Sequence, residues 1–228
     1  MTQPTDYARI GERLRFDIVS GVFAPGERLK IGALQARYGA GMIPIREAIQ
    51  QLRGEGLVTV EPNRGATVRL LDEAFIRSAI EVRIAFDYYF TRRFVEIGSF
   101  ALIDRLKKIN EQLAAALDAD DGEASIELNR LFHGTIFEAS GNEEALSIFR
   151  RYSLVTLALR RNVGFSTARK GRIIADHEGI IEAFEARNGD LASARALAHS
   201  REATEELISQ YLAARDGGVR KRVAGAGE

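Results

Sequence analysis

The chain has 228 residues, 46% of them hydrophobic, and its 32 basic side chains balance its 32 acidic side chains. A chain of this length and hydrophobic content can bury a substantial core, and we expect one small and one larger domain. The absence of Cys excludes disulfides and a thiolate zinc site. Charged residues scattered through the first segment argue against a signal peptide, and no apolar run could span a bilayer. We therefore expect a cytoplasmic protein.

Charge is distributed slightly unevenly along the chain. Residues 1–71 contain ten Arg or Lys against seven Asp or Glu. Electrostatic attraction to phosphates is the main sequence-independent part of nucleic-acid binding. The neutral whole chain does not indicate such binding, and the mild local excess of basic residues supports it only modestly.

The residues before position 40 predict two helices. Ile10, Leu14 and Ile18 recur at helical spacing and give the first helix one apolar face. Leu34 and Tyr38 do the same for a shorter second helix, and a Pro-Gly turn separates the two. A glycine-rich connection then leads into a third helix, which is the order of elements in a helix-turn-helix.

Residues 42–70 predict the third helix followed by a two-stranded hairpin. Pro44 suits the first helical turn, where its missing N–H costs nothing, and glycines end the helix. The strands are predicted at residues 57–61 and 66–70. A helix followed by such a hairpin is typical of a winged helix-turn-helix. The apolar stripe of the helix consists of Ile45, Ala48, Ile49 and Leu52.

Five residues of this segment are candidates for DNA contact. Arg46, Gln50 and Arg53 lie on the side of the helix opposite its apolar stripe, and Arg64 and Gly65 form the hairpin tip. Each also has a simpler interpretation. Exposed Arg side chains are most often solvated charges, and Gly65 could serve only as a hairpin residue with positive φ.

The runs GVFAPGERL and PIREAIQQLRGEGLVTVEPNRGATV resemble the DNA-binding domain of the GntR superfamily of bacterial transcription regulators. The resemblance implies that the recognition helix enters the major groove, with Arg46 on base edges or phosphates, and that Arg64 and Gly65 form a wing tip at the minor groove. The family usually has a Ser-Arg-Thr-like triplet before the Pro. Here residues 41–43 are Gly-Met-Ile, so a basic side chain that often touches DNA is absent, and the operator sequence cannot be borrowed from relatives.

From residue 72 to about 216 the strand signals disappear and six amphipathic helices follow one another, which predicts an all-α antiparallel bundle. The overall fold class is therefore mainly α, with an N-terminal winged helix-turn-helix and a C-terminal bundle. Residues 217–228 combine Gly with basic side chains and predict a disordered tail. The helices are separated at positions 98–99, 118–122, 141–142, 164–167 and 188–189.

All three histidines of the chain fall on apolar faces of bundle helices. Asn129 and His133 lie one turn apart on the third bundle helix, His177 lies on the fifth, and His199 lies among alanines on the sixth. Imidazole is the commonest neutral metal ligand, and side chains from facing helices can converge on one ion. A lone histidine on such a face is more often a hydrogen-bonded core residue, so both interpretations stay open.

The N-x-x-x-H spacing, the run ADHEGIIEAF and the run ARALAH resemble the FCD ligand-binding domain of FadR-like GntR regulators. The resemblance implies that His133, His177 and His199 hold a divalent cation, zinc or nickel, at the bottom of an effector cavity. Asn129 stands where the family has an Asp ligand. An amide oxygen can still ligate a metal, but it brings no negative charge and binds more weakly.

Arg83, on the first bundle helix, stands where the family commonly has an Arg that meets the carboxylate of the effector. A guanidinium offers two parallel hydrogen bonds to a carboxylate. Pairing with Glu81, Asp87 or another acid of the bundle is the alternative. Arg160 is a further candidate for the cavity wall, and Arg161 a weaker one.

These observations predict a homodimeric repressor that binds an operator duplex and responds to a small organic acid, without enzymatic activity. One winged helix covers few base pairs, so specific binding needs two copies. Two alternatives remain open. One is a metal-dependent hydrolase, which would need a general base such as Asp176 or Glu178. The other is a DNA-binding dimer that senses nothing.

Overall fold

The computed structural model describes residues 6–62, 64–70 and 72–224, without the side chains of residues 6–8, 151 and 215–224. Within these ranges the chain forms nine helices and three short strands. The N-terminal elements are α1 (Asp6–Val19), β1 (Arg28–Leu29), α2 (Ile31–Tyr38), α3 (Met42–Gly54), β2 (Val58–Glu61) and β3 (Gly65–Val68). The C-terminal helices are α4 (Glu73–Ile97), α5 (Phe100–Asp118), α6 (Gly122–Glu138), α7 (Glu143–Val163), α8 (Thr167–Glu185) and α9 (Gly189–Ala224).

The N-terminal elements form a winged helix-turn-helix, as the sequence predicts. Strands β2 and β3 pair antiparallel, with Val58 opposite Val68 and Glu61 opposite Gly65. The hairpin is thus shorter than the predicted strands 57–61 and 66–70, and β3 begins at Gly65. Strand β1 was not predicted. It contributes only two residues and pairs with the other side of β3, so the sheet order is β1-β3-β2.

The helices of the bundle begin where a polar side chain can cap them. Each of five N-cap side chains accepts a hydrogen bond from the backbone N–H three residues further on, which satisfies a donor that the first turn leaves unpaired. These caps explain why the breaks predicted from the sequence coincide with the helix ends. The capping residues are Asp72, Ser99, Asp121, Asn142 and Ser166.

Helix α7 belongs to the bundle but also packs against the winged helix. Ala158 is buried in the hydrophobic core of the N-terminal module, and Leu154 and Leu157 pack against the same core. Arg161 on α7 extends over the ring of Phe16 on α1, with 5.6 Å between the guanidinium carbon and the ring centroid. One helix therefore connects the bundle to the module that carries the recognition helix.

Helix α9 continues to Ala224, so the prediction of a disordered tail from residue 217 is wrong for residues 217–224. Residues 225–228 lie outside the described ranges. The Gly-Gly pair at 217–218 lies within this helix. Among the described helices, none is both long enough and apolar enough to cross a membrane.

Candidate effector chamber and DNA-binding surface

The predicted DNA-contact residues lie on the exposed side of α3 and on the wing. Arg46 and Gln50 are exposed, and Arg53 donates a hydrogen bond to the Gln50 side chain at 3.2 Å. Arg64 is 83% exposed and donates to Glu61 at 3.3 Å. Gly65 has φ 81°, a conformation that other residues adopt only with strain. The geometry of the turn is therefore sufficient to explain a glycine at this position.

Three helices bring the three histidines together inside the bundle. His133 comes from α6, His177 from α8 and His199 from α9, and their exposed fractions are 8%, 0% and 5%. One ring nitrogen of each lies within 4.8 Å of the others. The nearest pair is His133 Nε2 and His199 Nε2, at 3.3 Å. Residues spread over 66 positions of sequence therefore converge on one point.

His177 is oriented by a side chain on the opposite side of its ring. Asn110 Oδ1 lies 3.0 Å from His177 Nδ1 and accepts its hydrogen, while the Asn110 amide nitrogen donates to the carbonyl of Ile174. The ring also stacks on Phe132 with 3.8 Å between centroids. This arrangement leaves the lone pair of His177 Nε2 without a partner in the buried cluster.

All three imidazoles are held in the neutral form that binds metal. Burial lowers the pKa of His133 and of His177 well below the usual value, and the positive charges of neighbouring groups act in the same direction. Burial also lowers the pKa of His199, to about 4, although Asp176 at 3.2 Å from its Nδ1 opposes the shift. Neutral rings offer lone pairs without first losing a proton.

Asn129, the fourth predicted ligand, lines the same cavity. Its Oδ1 atom is buried and has no hydrogen-bond partner. An unpaired buried oxygen is costly unless something else satisfies it. Together with the free Nε2 of His177, it gives this site two acceptor atoms aimed at no protein donor. The three converging imidazole nitrogens therefore fit a divalent cation, and Asn129 Oδ1 is an unpaired oxygen in the wall of the same cavity.

Arg83 and Arg160 both line the cavity. Arg83 Nε is buried without a hydrogen-bond partner and lies 3.9 Å from Asp87 Oδ2, so its charge is balanced while this donor stays free. Arg160 donates to the carbonyls of Gly164 and Ala203, and burial lowers its pKa to about 10. It is thus charged at neutral pH and fixed in position.

Asp87 itself is buried on α4. Burial raises its pKa, although Arg83 and a hydrogen bond from Ser200 at 2.6 Å oppose the shift. The Ser200 contact joins α4 to α9 directly beside the histidine cluster. The buried Asp87 carboxylate thus lies between the Ser200 hydroxyl and the Arg83 guanidinium.

Arg169 is a cavity residue that sequence analysis missed. Only 1% of it is exposed, and its guanidinium donates to Asp176 Oδ2 at 2.7 Å and contacts His199 Nδ1 at 2.8 Å. It sits in the polar run TARKGR, where nothing distinguishes it from a solvated Arg. Its pairing also engages Asp176, the carboxylate considered as a general base for a hydrolase.

Arg161, the weaker candidate for the cavity wall, instead contacts α6 and α1. Its guanidinium donates to Glu123 at 2.5 Å and to Glu127 at 2.9 Å on α6. With its position over Phe16, it ties α6 and α7 to α1. It therefore acts at the junction between the two modules.

One cavity, about 890 Å³ in volume, extends between the bundle and the winged helix. At one end it reaches Asn129, His133 and His199. At the other end it reaches the winged helix, where Gln51, Gly54 and Glu55 at the end of α3 and Arg15 on α1 form its wall. A volume of this size fits a small organic ligand.

Comparisons with known proteins agree with this architecture. Residues 78–202 match the FCD domain family, and residues 6–68 match the gntR family of bacterial regulatory proteins. The chain is 27% identical over 185 residues to the gluconate operon transcriptional repressor of Bacillus subtilis (strain 168), covering 79% of this chain and 76% of that protein. It is 24% identical to the transcriptional repressor RspR of Escherichia coli (strain K12), covering 90% of each.

Solved structures share the fold. The E. coli protein McbR/YncC superimposes with a TM-score of 0.78 at 19% identity, covering 92% of this chain and 100% of that one. A GntR regulator from Rhodococcus sp. RHA1 gives a TM-score of 0.72 at 20% identity, covering 89% and 97%.

A winged helix joined to a helical chamber defines a DNA-binding transcription regulator with an effector domain. Its relatives of similar sequence are transcription regulators. The chain belongs to the GntR family of bacterial regulators, in the FadR-like group whose C-terminal half is an FCD domain.

Proposed function

We propose that this regulator is a cytoplasmic homodimeric repressor whose affinity for its operator changes when a small organic acid binds in the chamber. The observation that carries the proposal is the single cavity that extends from the histidine cluster to the end of the recognition helix α3. A ligand in that cavity can favour one position of α3 over another, which is the requirement for control of DNA binding.

The charges of the chamber support an anionic effector. Arg83 and Arg160 face the cavity, and the unpaired Nε of Arg83 is available to a carboxylate. A guanidinium binds a carboxylate through two charge-assisted hydrogen bonds. One relative is named for a gluconate operon, and gluconate is a hydroxylated carboxylate, so sugar acids belong among the first ligands to test.

We propose that His133, His177, His199 and Asn129 hold a divalent metal ion, zinc or nickel. The lowered pKa values of the histidines and the unpaired Asn129 Oδ1 support this assignment. When bound, the ion would supply a positive centre for one carboxylate oxygen of the effector. Because Asn129 brings no charge, we expect the metal to bind more weakly than at a site with an Asp in that position.

The ion pair between Arg15 and Glu55 supports a route from the chamber to the DNA. Arg15 Nε donates to Glu55 at 2.7 Å, a second guanidinium nitrogen bonds the other carboxylate oxygen, and Gln51 donates to Glu55 at 3.0 Å. Glu55 is the C-cap of the recognition helix. An anion that enters this end of the cavity competes with Glu55 for Arg15 and thereby alters how α3 is held against α1.

The DNA contacts follow from the exposed face of α3 and from the wing. We propose that Arg46, Gln50 and Arg53 lie in the major groove and that Arg64 and Gly65 reach the minor groove. A dimer would place two such surfaces on the half-sites of one operator.

The test begins with metal analysis of the purified protein. Calorimetry then measures binding of acetate, succinate, gluconate and benzoate to the zinc-loaded form. We expect one of these acids to bind and to change the affinity for a duplex selected by the protein. No binding and no change in DNA affinity with any of the acids would contradict the proposal, whereas loss of all selective DNA binding would contradict the family function itself.

A further inference from the structure

Two apolar side chains at the start of the recognition helix are exposed to solvent. Ile43 is 70% exposed and Met42 is 49% exposed. Apart from the half-buried Pro44, the other apolar side chains of α3 are buried in the core of the module, with exposed fractions of 4% or less. Nothing in the fold therefore requires an Ile at position 43, and burial of its side chain against a partner would be favourable.

Ile43 lies on the helical face that carries the candidate DNA contacts. Arg46 and Gln50 follow it at three and seven residues, so the three side chains project from one side of α3. Along the helix axis, Ile43 precedes Arg46 by about 4.5 Å, at 1.5 Å per residue. In helix-turn-helix proteins the N-terminal residues of the recognition helix are those that contact base edges.

The chemistry of Ile43 and Met42 limits what they can read there. Neither side chain has an N–H or O–H group to donate to guanine or adenine, and neither has an oxygen to accept a hydrogen bond from the amino group of cytosine or adenine. The C5 methyl group of thymine is the apolar feature of the major groove, and apolar side chains contact it. Arg46 and Arg53 are exposed on the same helix, and their charge favours DNA over an apolar protein surface as the partner.

We infer that Ile43, with Met42 beside it, reads thymine in the operator half-site through contact with the 5-methyl group. The inference rests on the DNA-binding function of the family and adds the base that this chain selects. Since residues 41–43 lack a polar side chain, discrimination at this position depends on removing apolar surface from water. It is therefore insensitive to salt, unlike the contacts of Arg46 and Arg53 with phosphates.

The experiment removes the methyl group without changing the hydrogen bonds of the base pair. The full-length protein first selects duplexes from a random pool, and each thymine of the selected half-site is then replaced in turn by deoxyuridine. For the unaltered protein we expect replacement at one or two positions to weaken binding about fourfold for each methyl group, from about 0.8 kcal/mol per buried carbon. Replacement elsewhere should have little effect.

The variant I43S tests whether this residue is the reader, and M42A tests its neighbour. We expect I43S to bind thymine and deoxyuridine duplexes equally at the sensitive position, because the partner of the methyl group is gone. F100S is the matched control, since Phe100 is 72% exposed at the start of α5 in the other module. It should keep the full sensitivity of the unaltered protein.

Each other outcome overturns the inference. Indifference of the unaltered protein to every deoxyuridine replacement would show that no methyl group is read, while its selective DNA binding stands. Equal sensitivity in I43S, M42A and the unaltered protein would assign the contact to another residue. A change of oligomeric state in I43S without DNA, measured by sedimentation, would identify the pair as a protein contact. If no duplex is enriched at all, the DNA-binding function and the inference fail together.

Discussion

The winged helix contains a buried polar cluster that is complete within the protein, whereas the chamber of the bundle leaves some of its buried polar atoms unpaired. In the winged helix, Asp17 accepts hydrogen bonds from Arg37 Nε and from the Tyr38 hydroxyl, each at 2.7 Å. In the bundle, Arg83 Nε and Asn129 Oδ1 are buried without a partner. A polar group that is satisfied within the protein stabilises the fold, whereas one left unpaired costs stability until a ligand satisfies it. The difference separates a structural cluster from a binding site.

The largest expected effect is the response of the bundle to acid. Burial lowers the pKa of His133, His177 and His199, so the unfolded chain takes up protons at a pH where the folded chain does not. The contribution of these histidines to the free energy of unfolding is therefore complete above about pH 6.5 and is lost as the pH falls below that value. The loss is about 1.4 kcal/mol per pH unit for each histidine that stays neutral in the fold. For His199 the loss continues to about pH 4.

Urea unfolding between pH 7 and pH 5, followed by circular dichroism with a chelator present, measures this response. H133Q should reduce the slope with pH, because one titrating group is removed. A free energy of unfolding that does not change over this range would contradict the neutral state assigned to the cluster.

Loss of the Arg83 guanidinium in the chamber should weaken effector binding strongly. R83M removes the charge but keeps an unbranched side chain, and we expect the affinity for the bound carboxylate to fall about 100-fold, since truncating a buried charge pair costs about 2–5 kcal/mol. The affinity of R83K for the carboxylate should lie between those of R83M and the unaltered protein, because Lys keeps the charge but cannot form two parallel hydrogen bonds. Calorimetry provides both values. Unchanged affinity in R83M would mean that Arg160 or Arg169, and not Arg83, binds the carboxylate.

The closed polar cluster of the winged helix should contribute to stability and not to ligand binding. Burial by itself raises the pKa of Asp17, but hydrogen bonds from Arg37 and Tyr38 outweigh it and lower the pKa. D17A leaves the buried Tyr38 hydroxyl unpaired, and we expect the free energy of unfolding to fall by about 2 kcal/mol.

In a Y38F background the same substitution should cost less, because no hydroxyl is left unpaired. Chemical denaturation of the four proteins tests this. Equal costs in both backgrounds would mean that the hydrogen bond to Tyr38 is not what stabilises the module.

The smallest expected effect concerns the ion pair between the two regions. E55Q weakens the contact of the recognition helix with Arg15, and we expect it to reduce the effect of the effector on operator affinity about fivefold, or about 1 kcal/mol of coupling. E61Q, on the exposed wing, is the control and should keep the full effect. The operator affinity is measured with and without effector for each protein. Full coupling in E55Q would exclude this route.

The sequence by itself determined the order of the helices and of the two hairpin strands, and most helix boundaries. Capping residues and glycines act within three or four positions, so their signals are local. The inward placement of His133, His177 and His199 follows from the helical period alone, and the structure brings them together. The run of residues 42–70 was sufficient to indicate the DNA-binding module.

Tertiary structure decided what surrounds these residues. Arg169 is buried only because α8 packs against α9, which sets it beside His199, 30 positions further along the chain. The cavity reaches α3 only because α7 packs on α1, and β1 exists only because β3 offers it a free edge. These contacts join distant parts of the chain, so their energies leave no pattern in the neighbouring sequence, whereas helix caps and apolar stripes arise from residues close together and can be read directly.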